Sequence, residues 1–399
     1  MLPTLTQARA WTEAGVQVTL LDPERFLYYS GMVPEHLGGV YDEAEIRIDL
    51  AARAQENGVS YVPDRAVRIA PQDRAVHTAS GEAYGYDALA IDVGSVTPSV
   101  PAGATPTKPI ASLHGLAPVL RETLASAAAS LRIVVVGGGA AGVEIALNVS
   151  GRFQGARRLS DLSLTVVEQA DRLLPAFPEG LSQNAAERLR TRGVTVRTGT
   201  AVTSVDESTS APTEVHTHDA APLSADAVLW ATGTVGPPVL ENSALPTTNR
   251  GFLRTDRTLQ VEPRIFAAGD CAAITGLDLA RVGVHAVKQG PLLRANLQQT
   301  LRQLRTDGTL PSAEALRTFR PYPLTPLILS TGSADGLWTA GSVWAAHPWL
   351  LRLKHWVDRR WIRTYAPEAW QDTTWRDHLG AESAVTAEPQ AGSVSSTKA

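Results

Sequence analysis

The chain has 399 residues, 44% hydrophobic and 19% charged, with a formal net charge of −4. That is globular composition, long enough for two or more domains, and it carries no basic footprint for nucleic acid. A single cysteine, Cys271, excludes a disulfide framework and any C-x-x-C redox pair and fits a cytosolic setting; no signal peptide is expected at the start and no apolar run of about 18 residues spans a membrane.

Residues 1–14, MLPTLTQARAWTEA, read as a helix with Leu5, Ala8 and Trp11 or Thr12 on one face and Gly15 as its cap. VQVTLLD follows as a strand ending in Asp22. A helix, a strand and a terminal acid form the latter half of a dinucleotide-binding unit, whose acid lies about 20 residues beyond its glycine fingerprint. Counting back from Asp22 puts that fingerprint at or before Met1, so the chain is expected to start inside the unit's first helix. Next come an aromatic turn, RFLYYSGMVP, and a helix-containing segment, EAEIRIDLAARAQENG, with Leu50, Ala51 and Ala54 on one face. Residues 59–95 read as short antiparallel strands broken by PQD and SGE turns, then a core strand, ALAIDVG. Residues 98–109 are a Pro/Thr/Ala-rich domain crossing, and residues 113–130 are helical.

The organising stretch is LRIVVVGGGAAGVE, residues 131–144. A buried strand stops at three glycines and a small-residue helix begins. Gly137, Gly139 and Gly142 have G-x-G-x-x-G spacing: the first permits a tight turn, the second lets backbone approach a diphosphate, the third lets helix pack close on strand. The helix N-terminus then offers free N–H groups to the anion. The next strand, LSLTVVE, ends in Glu168, 26 positions after Gly142. A carboxylate there accepts from a ribose 2′-hydroxyl and repels a 2′-phosphate, which reads as NADH rather than NADPH; Arg172, four positions on, weakens that preference.

Residues 180–192 read as a helix. Alternating strands then lead to WATG, delivering Ala231, Thr232 and Gly233, and TLQVEPRIFAAGD is a strand ending in Gly269 and Asp270. Residues 282–304 form a long helix, expected to bend near Gly290-Pro291. Two apolar strands surround SADG. HPWLLRLKHWVDRRWIRTY is an amphipathic helix with Leu350, Leu353, Val357 and Trp361 in one stripe and Lys354, His355, Arg359 and Arg360 largely elsewhere. That stripe either docks a membrane surface or packs on its own domain. Residues 381–399 are expected to be disordered.

Four spaced motifs carry a resemblance over roughly residues 1–365: Asp22 at a strand end, Gly137/Gly139/Gly142 with Glu168, the WATG strand at 230–233, and the AAGD strand at 267–270. The order resembles the two-dinucleotide-binding flavoproteins, the pyridine-nucleotide-dependent oxidoreductases, whose FAD domain is split by an inserted NADH domain. It is most similar to type II NADH dehydrogenases and ferroptosis-suppressor-like quinone reductases, and closer still to the flavoprotein module some bacteria fuse to selenophosphate synthetase. The resemblance implies an α/β fold with two Rossmann-like domains. Residues 1–112 would be the first part of the FAD domain, truncated at its N-terminus, 113–236 the NADH domain, and 237–320 the second part of the FAD domain. Residues 321–380 would form a C-terminal hairpin and helix, and 381–399 a tail.

The resemblance also implies FAD and NADH as cofactors, with Asp270 on the ribityl chain and Asp22, Val67, Gly94, Gly233 and Gly269 among the cofactor-binding residues. Asp92-Val93-Gly94 departs from the family's usual Ala-Thr-Gly. Glu144 matches a family glutamate near the nicotinamide; the helix dipole also favours an acid there. The implied reaction passes hydride from NADH to flavin and electrons on to a small acceptor, with no metal and no protein nucleophile. The lone cysteine excludes the disulfide relay of some members, and Cys271 reads as a buried small residue. A quinone is the expected acceptor. The family's Ala-Gln-x-Ala-x-Gln helix is VHAVKQ here, so His285 replaces the first Gln and Gln289 keeps the second. Three accounts stay open: this enzyme with a start codon further upstream, a flavin-free NADH-binding remnant, or a reductase with a non-quinone acceptor. The helix at 349–361 makes peripheral contact with the inner face of the cell membrane an alternative to a purely cytoplasmic setting.

Overall fold

The computed structural model describes residues 1–207, 212–218 and 220–370. At its centre is the strand Leu131–Val136, flanked in parallel by Leu162–Val167 on one side and Ala227–Trp230 on the other; Thr195–Arg197 and Ala104–Pro106 complete a five-stranded parallel sheet. Ile133 to Val136 are all buried, as a strand covered on both faces requires. Its neighbours leave in opposite directions, so its carboxyl end is the switch point where ligands bind in open α/β sheets. The helix Ala140–Gly155 starts there and buries Val143, Ile145, Leu147 and Phe153 against the sheet. The helix Glu179–Thr191 follows within one residue of its expected bounds.

The second body is assembled from distant segments. Leu89–Ile91 pairs in parallel with Ile265–Ala267, and Thr19–Leu21 with Ser60–Val62. Ala66–Ala70, Ala75–Thr78 and Ala83–Gly85 form the expected antiparallel strands. The long helix Gly283–Asp307 contains Pro291. The strand Ala104–Pro106 joins the central sheet although it precedes the boundary expected at 112.

Four local expectations are corrected. Residues 1–14 form two short helices, Leu2–Leu5 and Arg9–Glu13, rather than one. The aromatic turn contains a strand, Phe26–Tyr28, paired antiparallel with Arg47–Asp49. The C-terminal hairpin, Leu327–Ser330 with Gly336–Ala340, gains a third strand, Val343–His347. The fourth correction concerns the helix Pro348–Arg363. Leu353 and Val357 of the expected stripe are exposed, as are Trp349 and Trp356, whereas Lys354, His355 and Asp358 are buried. The physical reason is a carboxylate from far upstream: Glu35, 1% exposed, pairs with Lys354 Nζ and accepts from His355 Nε2 at 2.6 Å. Lys354 also reaches Asp358 at 2.9 Å and the Gly31 carbonyl at 2.7 Å, while Tyr29 donates to Asp358 at 3.0 Å. The tail expected to be disordered lies outside the described residues.

Candidate functional site

The glycine turn has no room for side chains where the backbone must close. Gly137 sits at φ +110°, and a Cβ there would meet the Ala231 carbonyl oxygen at 2.5 Å. A Cβ on Gly142 would run into the Gly137 carbonyl oxygen. Gly139 is different: nothing lies within 4 Å of its added Cβ, so the space beside it is open. The helix that begins at Ala140 has no side-chain cap, leaving its first N–H groups for an anion. Glu168 accepts from the Gly138 N–H at 2.6 Å and the Ala170 N–H at 2.8 Å. An ionised carboxylate has about four acceptor positions, so two remain for ribose hydroxyls. Arg172 is committed elsewhere: its guanidinium donates to the carbonyls of Leu174, Pro175 and Phe177 at 2.8–3.0 Å. An open cradle at Gly139, uncapped N–H groups and a fixed acid fit a dinucleotide.

The AAGD motif closes a second site. Gly269 adopts φ +73°, and its N–H donates to Gln289 Oε1 at 2.6 Å, so that glutamine holds the turn. Asp270 is ion-paired with Lys108, which also donates to Ser95 at 3.3 Å. A cleft of about 390 Å³ opens beside Gly269 and Asp270, lined also by Arg250, Arg281, His285 and Gln289. His285 is 4% exposed; its Nε2 lies 3.2 Å from Thr325 Oγ1, and its Nδ1 has no partner among the described residues. Burial, then Lys288, pulls the His285 pKa down, so the ring is neutral at pH 7. Cys271 is buried and its thiol is pushed up to about 12, chiefly by burial, which makes it inert. The site's donor set, a held acid, an orphan imidazole nitrogen and two guanidinium groups, fits a polyhydroxylated, anionic cofactor.

The two sites adjoin. Thr107 donates its N–H to the Trp230 carbonyl at 3.0 Å, and the next residue, Lys108, holds Asp270. Arg250, on the cleft wall, donates to the Thr234 carbonyl just beyond WATG. Gly233 and Gly94 both take positive φ, with no atom within 4 Å of a Gly94 Cβ. Asp22 lies at the carboxyl end of its strand and accepts from the Glu24 N–H at 2.9 Å, its pKa raised chiefly by burial. Val67 sits on the antiparallel strand Ala66–Ala70, its carbonyl 3.4 Å from Asn242 Nδ2.

Glu144 stands apart from His285. Its Oε1 accepts from the Ser330 N–H at 2.8 Å and the Ser330 hydroxyl at 2.9 Å. Burial pushes its pKa up to about 7 against these donors and Lys354. Glu144 contacts Ser330 and His285 contacts Thr325, and the largely extended chain between those two residues spans roughly 16 Å. Lys108, Ser95, Arg250 and Arg281 escaped the sequence reading, because each is a single polar residue in a loop with no spacing to mark it.

The family pattern described as pyridine nucleotide-disulphide oxidoreductase matches residues 4–290. A demethylphylloquinone reductase of Synechocystis is 33% identical over 204 residues, covering 48% of this chain and 47% of that protein. A type II NADH:quinone oxidoreductase of Haemophilus influenzae is 35% identical over 154 residues, 36% of this chain and 34% of its own length. The matches therefore span about half and a third of these two relatives. A type II NADH:quinone oxidoreductase of Staphylococcus epidermidis is 24% identical over 361 residues, 84% of this chain and 86% of that protein. Among solved structures, the sulfide:quinone oxidoreductase of Aquifex aeolicus aligns with TM-score 0.71 at 14% identity, covering 91% of this chain and 89% of its own. Plasmodium falciparum NDH2 in complex with NADH aligns with TM-score 0.69 at 15% identity, covering 87% and 93%.

Proposed function

The chain belongs to the pyridine nucleotide-disulphide oxidoreductase family, and from that premise we propose that it is an FAD-dependent NADH oxidoreductase whose electrons pass to a small acceptor, a quinone. The observation that carries this reading is the junction at residues 107–108, which ties the end of the WATG strand to Asp270 and so sets two nucleotide-type sites side by side. Bound there, FAD and NADH would supply the hydride and electron chemistry, and the protein's part is to hold, orient and exclude.

Gly137, Gly139 and Gly142 bring backbone N–H groups to the NADH diphosphate. Glu168 takes the ribose hydroxyls and its charge repels a 2′-phosphate, and Arg172 is turned onto loop carbonyls, which favours NADH over NADPH. Asp270, held by Lys108, takes the flavin's ribityl hydroxyls in the cleft that Gly269 also lines; Asp22, Val67, Gly94 and Gly233 are assigned to cofactor binding with them. Gln289 keeps the Gly269 turn in place. Neutral His285 offers a hydrogen bond to an acceptor carbonyl. Glu144, still half-protonated near pH 7, is placed to hold or release a proton at its Oε atoms.

The C-terminal helix supports a peripheral membrane role at the inner face of the cell membrane. Trp349, Leu353, Trp356 and Val357 form an exposed apolar stripe flanked by exposed Arg352 and Arg360. None of the described helices is long and apolar enough to cross a membrane. The test is anaerobic titration of the purified full-length chain loaded with FAD. NADH should bleach the flavin absorbance, NADPH should do so at least about tenfold less effectively, and a short-chain quinone should restore it. Failure to retain flavin, or flavin that NADH leaves oxidised, overturns the reading; flavin that stays reduced with every quinone tried removes the quinone.

A further inference from the structure

Two guanidinium groups meet in the Asp270 cleft without an ion-pair contact of their own among the described residues. Arg281 lies 3.8 Å and Arg250 5.6 Å from the Phe252 ring centroid, so both stack on one aromatic side chain. Each spends a donor on a backbone carbonyl, Arg281 on Ala272 and Arg250 on Thr234. Neither has a carboxylate within ion-pair distance among the described residues, whereas Arg25, Arg132, Arg158 and Arg188 each do. Of the two acids that line their cleft, Asp270 is already paired with Lys108, and Asp278 is solvent-exposed and makes no ion-pair contact with either arginine. Arg281 is also half-buried, so its unbalanced charge is partly withdrawn from water.

Bringing like charges together in a partly desolvated cleft is unfavourable unless an anion completes the arrangement. A guanidinium has five N–H donors in a planar fork, so several on each arginine remain available for two-point contact with an oxyanion. Stacking on Phe252 fixes both planes and lowers the entropy lost on capture. On the same wall, His285 is buried with Nδ1 unpartnered among the described residues, so this part of the cleft also lacks a hydrogen-bond partner.

We propose that Arg250 and Arg281, braced on Phe252, form an oxyanion site in the Asp270 cleft that takes a phosphate group. Two sources supply that chemistry: the diphosphate of the dinucleotide that Asp270 holds, or a free phosphorylated compound entering beside it. The first source rests on the flavin reading above; the second does not.

The full-length chain and its Arg250→Gln/Arg281→Gln variant are titrated with FAD, riboflavin and inorganic pyrophosphate, with circular dichroism to check the fold. Loss of two charge-assisted contacts weakens binding about 10- to 100-fold. If the variant loses FAD affinity on that scale while riboflavin changes less than about twofold, the site holds the dinucleotide's diphosphate. If FAD and riboflavin are unchanged but the FAD-loaded variant loses pyrophosphate affinity, the site serves a free phosphate compound. Pyrophosphate binding that needs the arginines in a chain that takes up no flavin upholds the site and removes the flavin reading. Equal losses for FAD and riboflavin, or phosphate binding that ignores the two substitutions, overturn the site. Arg281→Lys, which keeps the charge but not the fork, should recover only part of the loss.

Discussion

Glu168, at the end of a strand, and Glu35, in the first turn of a short helix, are both held carboxylates, and they are assembled in opposite ways. Glu168 is satisfied by backbone N–H groups of its own neighbourhood, one of them on a glycine 30 positions away. Glu35 is satisfied by two side chains 319 and 320 positions away on the C-terminal helix. The first arrangement is dictated by local geometry, since a tight turn without Cβ atoms leaves its N–H groups pointing at the next strand's end. The second depends on two distant helices meeting, and it reverses the helix's polarity, so that charge faces inward and tryptophan outward. The two regions therefore predict different consequences of mutation.

The largest effect belongs to the buried cluster. Lys354→Met leaves Glu35 and Asp358 as buried carboxylates without their shared cation, and chemical denaturation should show a loss of about 3–5 kcal/mol. Adding Glu35→Gln should recover a substantial part, because the penalty lies in the uncompensated charge more than in the missing contact. A single-variant loss below about 1 kcal/mol would mean the cluster is not assembled as described, and the contrast with Glu168 collapses.

The glycine turn should separate binding from stability instead. Gly139→Ala places a methyl group in open space at a backbone conformation any residue adopts, φ −71° and ψ −176°. Thermal unfolding should stay within about 0.5 kcal/mol of wild type, while NADH affinity, read by nucleotide fluorescence, should fall about 30-fold as the diphosphate loses its approach. Gly142→Ala is the counterpart that must damage both, since its Cβ overlaps the Gly137 carbonyl oxygen. Equal NADH binding by Gly139→Ala and wild type would place the diphosphate elsewhere.

This division also explains what the sequence made legible. The parallel strands, the turn at Gly137–Gly142, the acid at Glu168 and the Gly269-Asp270 turn rest on periodicity and short spacing, and each is where those signals put it. The helix at 348–363 was legible as a helix, but not its orientation. Leu350, Leu353, Val357 and Trp361 make a reasonable apolar stripe, and nothing local reveals that Glu35 awaits Lys354 and His355. Lys108 was hidden for the same reason, being a lone lysine in a Pro-rich connection whose meaning comes from Asp270, 162 positions later.

Glu144 couples the two regions, because it stands on the helix that follows the glycine turn while Lys354 and Glu35 both act on its charge. Its folded-state pKa, about 7, lies above the ordinary 4.5, so its contribution to stability is complete below that ordinary value and is lost as pH rises through about 7. Glu144→Gln removes the titration. From about pH 5 to about pH 8 the stability difference should therefore move steadily in the variant's favour, and an inflection near 7 should leave the pH profile of kcat/KM. A constant difference across that range would show that the carboxyl is already ionised and that Lys354 outweighs burial.

The smallest stability effect should come from the other face of the same C-terminal helix. Trp349 and Trp356 are 53% and 59% exposed, so Trp349→Ser/Trp356→Ser removes little buried area and should change unfolding free energy by no more than about 0.5 kcal/mol per site. If the exposed stripe lies in a lipid interface, the same pair should lower sedimentation with anionic vesicles at least tenfold. The flanking arginines, each worth about 1 kcal/mol at such a surface, should make the residual binding sensitive to salt. One helix would then carry a face that is costly to alter and a face that is cheap to alter but needed for location. Vesicle binding that survives the double substitution at high salt would leave the outward tryptophans without that role, and the inward charges as the helix's sole specialised feature.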